Sequence, residues 1–444
     1  MPHIIGRTES VCPQCLRRLD ACRVVKEDGI YLEKVCPEHG AFSTMIWHGD
    51  AESYLAWGAH QQKTAQVVSA SPLAVSAQGC PYDCGICAVH EQKMCCVLLE
   101  LTSRCNLHCP VCFAAAGEEK ADPTLAEIGR WFDELLAAGG PFNIQLSGGE
   151  PTMRNDLPEI ISLGKAKGFS FFQLNTNGLR LASDSDYVRH LAEAGLSTVF
   201  LQFDGISERP CQVLRGRKLL AQKKQAIDVC AENGLGVVLV PTVVPGVNDQ
   251  EIGQLIDFAL SKMPIVRGVH FQPVSYFGRM ELSKRACLTI PDMLKAIEEQ
   301  TGGRMRTGDF VGGSAENAYC SFHGNFMQMP NGTLSALTKP ARCSCSTSSD
   351  QSRLAVAKRW TLPQPTSSCC SSVEPQDAFD VFLHRFEQQT LAVSGMLFQD
   401  AWTVDLERIK RCYIGEVDGR GGIVPFCAYN LTSADGRSLY RGKV

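Results

Sequence analysis

Hydrophobic and polar positions fall into two regimes that change near Val97. Before it, runs such as "IYLEKVC" and "AFSTMIW" alternate with period two, which predicts half-buried strands in a small β-rich module over residues 1–60. From Val97 two periods interleave. Short apolar runs, "VLLELT", "FNIQLS", "FSFFQLNTN", "STVFLQFD", "LGVVLVPTVV" and "VRGVHFQPVS", are separated by stretches with helical spacing. The first of those, "PTLAEIGRWFDELLAAGG", is opened by Pro123 and closed by glycines; "LPEIISLGKAKG", "SDYVRHLAEAG", "LLAQKKQAIDVCAENG" and "DQEIGQLIDFALSK" follow. Six β/α units in series predict an α/β fold with a parallel sheet curled into a partial (β/α)6 TIM-like barrel over 97–280. Right-handed crossovers put the functional loops at the C-terminal ends of its strands. Residues 61–96 read as a cysteine-rich bridge, and 281–444 lose the periodicity and read as an irregular C-terminal domain.

The 444 residues are 44% hydrophobic and 20% charged, enough for a sizeable core. A formal charge of −4 supplies no general basic field, which argues against nucleic acid as partner. No run approaches the ~18 apolar residues of a membrane span. The longest, "LGVVLVPTVV", is broken by Pro241. No leader-like segment opens the chain, so a cytoplasmic location is expected, with peripheral membrane contact still compatible.

Twenty-two cysteines change the picture. Disulfides are rare in a reducing compartment, so clustered cysteines point to metal. Cys22, Cys211, Cys230 and Cys287 stand alone and read as small buried apolar residues. The others cluster. In "RCNLHCPVCF", Cys105, Cys109 and Cys112 directly follow the first barrel strand. A structural zinc site wants four ligands and a disulfide two. Three thiolates on one tight loop instead suit a 4Fe–4S cube with one iron left open.

Elsewhere, Cys12 and Cys15 with Cys36 and His39 have the two-knuckle spacing of a zinc ribbon or rubredoxin, with Zn or Fe as the metal and Cys22 as a substitute for His39. Cys80, Cys84 and Cys87 repeat the three-then-two spacing and suggest an auxiliary cluster or a zinc knuckle; Cys95, Cys96 and the tail cysteines are candidates for a fourth ligand. Cys320, Cys412 and Cys427 suggest a further cluster, with Cys343 or Cys345 completing it. Cys369 and Cys370 are assigned no role.

The triplet after the first strand, with an aromatic at Phe113, resembles the signature of the radical S-adenosylmethionine (SAM) superfamily. That resemblance implies SAM chelated at the open iron and reductive cleavage to a 5′-deoxyadenosyl radical that abstracts hydrogen from an unactivated carbon. It further implies SAM contacts at Gly148, Gly149 and Glu150 of "LSGGEPT", at Asn177 of "LNTNG", at Asp204 of "QFDG" near ribose or substrate, and at Asn248 of "VPGVND". The order "CPQC…CPEHG", "CPYDCGIC", "LELTSRCNLHCPVCFA" and "PFCAYN" resembles the branch that includes tetraether lipid synthase and the dihydro-hydroxymethylpterin dimethyltransferases. Auxiliary 4Fe–4S clusters accompany the SAM cluster there. The Cys95–Cys96 pair is similar to that of the bacterial radical SAM (seleno)protein TrsS group. "RCYIG", "RCSCS" and "SSCCSS" depart from the synthase and bear on the substrate rather than on the radical chemistry.

Three functions compete. The first is a radical SAM enzyme forming a C–C bond on, or alkylating, a lipid- or pterin-like molecule, with electrons from a flavodoxin- or ferredoxin-type reductant. The second modifies a peptide or protein. The third is a non-enzymatic iron–sulfur electron carrier, which needs neither SAM nor Glu150.

Overall fold

A computed structural model describes residues 3–59, 78–83, 87, 89–117, 120–282, 285, 287–313, 315–338, 349–363, 378–419 and 422–441. The strands His3–Val11, Arg18–Val25, Gly29–Cys36 and Gly40–His48 form an antiparallel meander. Its own core is small: Cys12, Leu19 and Cys36, with Cys15 and Phe42 against them.

The barrel strands are Cys96–Glu100, Asn143–Ser147, Phe172–Thr176, Thr198–Gln202, Gly236–Val240 and Val266–Pro273, each parallel to the next. Every residue of Gly236–Val240 is buried, as expected of a strand covered on both faces. Pro241 interrupts this strand, and Thr242–Val243 resume pairing with Gln272 and Pro273. Between strands, the helix Leu125–Ala137 is opened by a reciprocal capping box of Thr124 and Glu127. The other crossovers, Leu157–Ala166, Ser185–Glu193, Leu220–Glu232 and Ile252–Ser261, lie where the periodicity placed them.

The region after residue 280 is less separate than its pattern suggests. Thr390–Met396 pairs in parallel beside Val266–Pro273, and Ile414–Val417 pairs in parallel beside Cys96–Glu100. Eight parallel strands therefore form the curved wall, and antiparallel strands Ser321–Gln328 and Ile423–Pro425 flank them. Leu391, Val393, Val417 and Ile423 belong to the barrel's own hydrophobic core. "TLAVSGM" and "IGEV" are too short, and too poor in helical crossovers, to announce themselves as barrel strands.

Two contacts lock the layers. The helix Ser349–Trp360 crosses the barrel's N-terminal end: Asn143 Nδ2 donates to Arg353 O at 3.1 Å, and Trp360 packs on Phe200 with ring centroids 4.5 Å apart. The ribbon docks on the C-terminal region through Thr8 Oγ1 and Arg23 on Asp405, and through Lys34 Nζ on the Ala401 and Trp402 carbonyls. No helix among the described residues is long and apolar enough to cross a membrane.

Candidate functional site

The cysteine loop follows the first strand and is clamped from both sides. Val111–Cys112 pairs with Arg279–Met280, and the Arg279 guanidinium donates to Cys109 O at 2.8 Å and Ala116 O at 3.1 Å. On the other side, Gly149 N donates to Thr102 O at 2.7 Å and Glu150 N to Arg104 O at 2.9 Å. Gly148 has φ +122, and a Cβ at Gly148 or Gly149 would overlap the Thr102 or Arg104 carbonyl. These glycines therefore let the "SGGE" turn seat directly on the cysteine loop.

Cys105, Cys109 and Cys112 line a cavity of about 530 Å³ together with Gly148, Gly149, Glu150 and Asn177. Burial pushes the Cys105 thiol up to about 11. Burial also raises Cys109, opposed by the nearby Arg215 guanidinium. Leu107 N points at Cys105 Sγ from 3.4 Å. Three partly buried thiols with a cation and an amide N–H beside them form a donor set that fits thiolate ligation of an iron cluster.

Glu150, Asp204 and Asn248 each tie neighbouring turns together. The Glu150 carboxylate, 1% exposed, accepts four hydrogen bonds: from Thr152 N at 3.1 Å, Thr152 Oγ1 and Thr176 Oγ1 at 2.6 Å each, and Asn177 N at 2.7 Å. Three of these fall on Oε1 and one on Oε2, so the carboxylate ties the "SGGE" turn to the "NTNG" turn and keeps acceptor capacity on Oε2. Asp204 is fully buried off the cavity and forms a two-point ion pair with Arg215, at 2.8 Å on each oxygen. Asn248, also off the cavity, donates to the carbonyls of Asp204 and Thr242 and accepts from Val244 N. Sequence position at a strand end marks these residues; only the packing tells which turns they tie together.

Arg215, which sequence reasoning missed, lines the cavity and donates to Val111 O at 2.9 Å inside the cysteine loop. Lys223 was missed too. Buried completely and lowered to about 8 by desolvation, it holds the Asn177 carbonyl at 2.7 Å and Gln202 Oε1 at 2.8 Å. Asn177 in turn reaches Asn106 Oδ1 at 2.7 Å.

The cavity continues down the barrel. Its wall is not purely apolar. Gln173 donates to Asn175, Asn175 to Gln145, and Gln145 to Cys96 Sγ, a row of amides across neighbouring strands. His270, Ser394 and His323 form a second row in register, with His270 Nδ1 and Ser394 Oγ 2.9 Å apart. Burial lowers both histidines to about 4, so they stand neutral.

In the ribbon, Cys12, Cys15, Cys36 and His39 bring their ligand atoms within 4.8 Å of one another. The Cys15–Cys36 separation of 3.9 Å and the His39 Nδ1 distances of 3.6 Å to Cys12 and 3.4 Å to Cys36 match a tetrahedron with Zn–S near ~2.3 Å. His39 completes the set, and Cys22, on the strand Arg18–Val25, does not. Cys211 and Cys230 are buried as single packing residues, whereas Cys22 is half-buried and Cys287 is exposed.

Cys320, Cys412 and Cys427 converge from three elements within electrostatic reach of one another, and Arg408 donates to Cys320 Sγ at 3.3 Å. Three thiols and one buried guanidinium repeat the composition seen around Cys105. The bridge lies against them: Cys80 packs with the cluster that holds Cys427, and His90 Nε2 is 2.8 Å from Cys412 O. Cys84, Cys343, Cys345, Cys369 and Cys370 lie outside the described residues.

The sequence model described as "Radical SAM superfamily" matches residues 99–259, and that of the "HMPTM N-terminal zinc ribbon domain" matches 4–48. Among curated proteins, 7,8-dihydro-6-hydroxymethylpterin dimethyltransferase of Methanocaldococcus jannaschii is 35% identical over 96% of this chain and 93% of its own length. The chain belongs to the radical SAM superfamily. As such it is an enzyme that uses a 4Fe–4S cluster and SAM, and the electron-carrier reading falls away. This radical SAM enzyme also resembles the mitochondrial GTP 3′,8-cyclase of Arabidopsis thaliana, 34% identical over 39% of this chain and 45% of that protein. The crystal structure of Streptococcus suis SuiB bound to precursor peptide SuiA superposes with a TM-score of 0.41 at 18% identity, covering 48% of this chain and 46% of that one.

Proposed function

We propose that this radical SAM enzyme binds its cluster at Cys105, Cys109 and Cys112, abstracts hydrogen from an unactivated C–H bond, and alkylates or forms a carbon–carbon bond on a pterin-like ring. The observation that carries this reading is the convergence of the three-cysteine loop, the Gly148–Glu150 turn and Asn177 on one cavity that runs on into the barrel. When bound, cluster and SAM together supply a 5′-deoxyadenosyl radical through one-electron cleavage of the sulfonium.

The chain's own residues do the rest. The three cysteines hold three corners of the cube, and Arg215 beside Cys109 offsets thiolate charge. Glu150 and the Gly148–Gly149 turn line the cavity beside the cysteine loop and would take the SAM ammonium on carboxylate and main-chain oxygens. Asp204 and Asn248 keep Arg215 and the 242–248 turn in place. Barrel walls exclude water from the reacting carbon. Cys320, Cys412 and Cys427 would hold one auxiliary cluster and Cys80, Cys84 and Cys87 another; such clusters would supply one-electron chemistry with a flavodoxin- or ferredoxin-type donor.

Two observations support a ring over a lipid. The relative that matches nearly end to end is named for a pterin substrate. The amides of Gln145, Asn175 and Gln173 along the wall offer further donors and acceptors that a polar ring uses and a hydrocarbon tail does not.

Anaerobic reconstitution with iron and sulfide, followed by SAM and dithionite, is expected to yield 5′-deoxyadenosine. Cys105→Ala should abolish that product and leave the metal at Cys12, Cys15, Cys36 and His39 in place. Undiminished cleavage in the variant would place the cluster elsewhere.

A further inference from the structure

Glu316 stands at the inner end of the cavity and has no evident duty in the radical machinery. Its residue is 7% exposed and its carboxylate faces the cavity. It accepts a hydrogen bond from the Ser321 hydroxyl, with Tyr413 nearby. No arginine, lysine or histidine among the described residues comes within ion-pair distance of it. Desolvation raises its pKa. A buried carboxyl group without a cation is costly, and such groups persist where a ligand supplies the missing donors. The chain around it is shaped for this placement: a Cβ at Gly313 would overlap Glu316 Oε1.

The surroundings specify what kind of ligand. Glu316 is within electrostatic reach of Cys96, whose sulfur ends the amide row of Gln145, Asn175 and Gln173. One acceptor-only group therefore adjoins a line of amides that both donate and accept. Across the cavity, Phe200 and Trp360 pack at 4.5 Å, with His270 5.9 Å from Trp360, forming an aromatic wall. A flat ring with two adjacent N–H groups on one edge and carbonyl and ring-nitrogen acceptors beside them satisfies all three features. A carboxylate takes such a pair of N–H groups through two parallel hydrogen bonds, as it takes an arginine.

We propose that Glu316 is a specificity-determining residue that accepts the paired N–H groups of a 2-amino-4-oxopyrimidine edge, while the Gln145–Asn175–Gln173 amides read the neighbouring atoms and the Phe200–Trp360 wall stacks the ring. This rests on the pterin-like substrate reading above. The same edge occurs in two sources, a pterin and a guanine nucleotide. Arg359 also lines the cavity beside Trp360, a cation that suits a phosphate, so the test sets the two sources against each other.

The test is equilibrium binding to the anaerobic, SAM-loaded holoenzyme of 7,8-dihydro-6-hydroxymethylpterin, of GTP, and of the lumazine analogue in which the 2-amino group is replaced by oxygen. Wild-type protein is expected to bind the pterin at least 100-fold more tightly than the lumazine, because the analogue turns an oxygen toward the carboxylate. Glu316→Gln should weaken pterin binding 30-fold or more and shrink the pterin-to-lumazine ratio below 5, since a carboxamide can donate to that oxygen. Iron content and melting midpoint report whether the variant is folded. If it is not, the wild-type ratio still decides: equal binding of pterin and lumazine overturns the proposal. A folded Glu316→Gln that keeps the wild-type ratio overturns Glu316 alone and leaves the pterin reading intact. Wild-type protein that binds neither pterin nor lumazine overturns both, and tighter binding of GTP than of pterin overturns the pterin as the source of the edge.

Discussion

Arg215→Met is expected to lower the stability of the barrel by about 3–5 kcal/mol, the cost of leaving a buried partner charge uncompensated. Asp204 is fully buried, and its two oxygens face the Arg215 guanidinium at 2.8 Å. Removing the cation leaves the carboxylate only Thr242 N and Gln202 as donors. The same substitution withdraws the donor on Val111 O, between Cys109 and Cys112. Iron at the SAM site should therefore fall along with the denaturation midpoint. The double variant Asp204→Leu/Arg215→Met separates the two effects. Replacing a buried ion pair by apolar side chains is often close to neutral, so stability should largely return while iron retention does not. A double variant that recovers both would show that Arg215 serves folding only.

Removal of the ribbon metal is the second large effect. The buried cluster around the ribbon's metal site holds only three residues, two of them ligands, so the metal stands where a larger core would. A structural zinc of this kind contributes on the order of 10 kcal/mol to folding a small module. Stripping it with a strong chelator should release one metal ion per chain, expose three reactive thiols and open residues 11–40 to proteolysis. His39→Ala should do the same at far lower chelator concentration. Because Lys34 and Arg23 dock the ribbon onto residues 401–407, its collapse should also loosen the segment that carries Arg408 toward Cys320. Unchanged thiol reactivity after metal release would show that the knuckles hold without it.

The sequence made the alternating core legible because each strand and helix there has a clear period bounded by glycine or proline, and the strand ends carry the cysteine loop, "SGGE" and "NTNG". What it could not convey is how many hydrogen bonds a side chain already makes. Glu150, Asp204 and Asn248 all stand at strand ends, and each is held by partners from other turns that the pattern does not bring into view. Arg215 gave no signal, being one arginine at the end of a helix, eleven positions from the acid it neutralises. Glu316 sits in an irregular run, "SAENAYC", whose meaning depends on Ser321 just after it and on Tyr413 and Cys96 arriving from distant segments. The strands Thr390–Met396 and Ile414–Val417 stayed hidden because the chain reaches them without the regular strand–helix alternation that marked the first six. Spacing did decide the ribbon, because four ligands in two knuckles constrain one another locally.

The most direct measurement is the electron paramagnetic resonance spectrum of the dithionite-reduced protein before and after SAM is added, in wild type and in Cys105→Ala. One reduced-cluster signal should shift on SAM addition, show coupling to a nitrogen-15 label in the SAM amino group, and vanish in the variant. A spectrum indifferent to SAM in the wild type, with iron fully bound at Cys105, Cys109 and Cys112, would contradict the account.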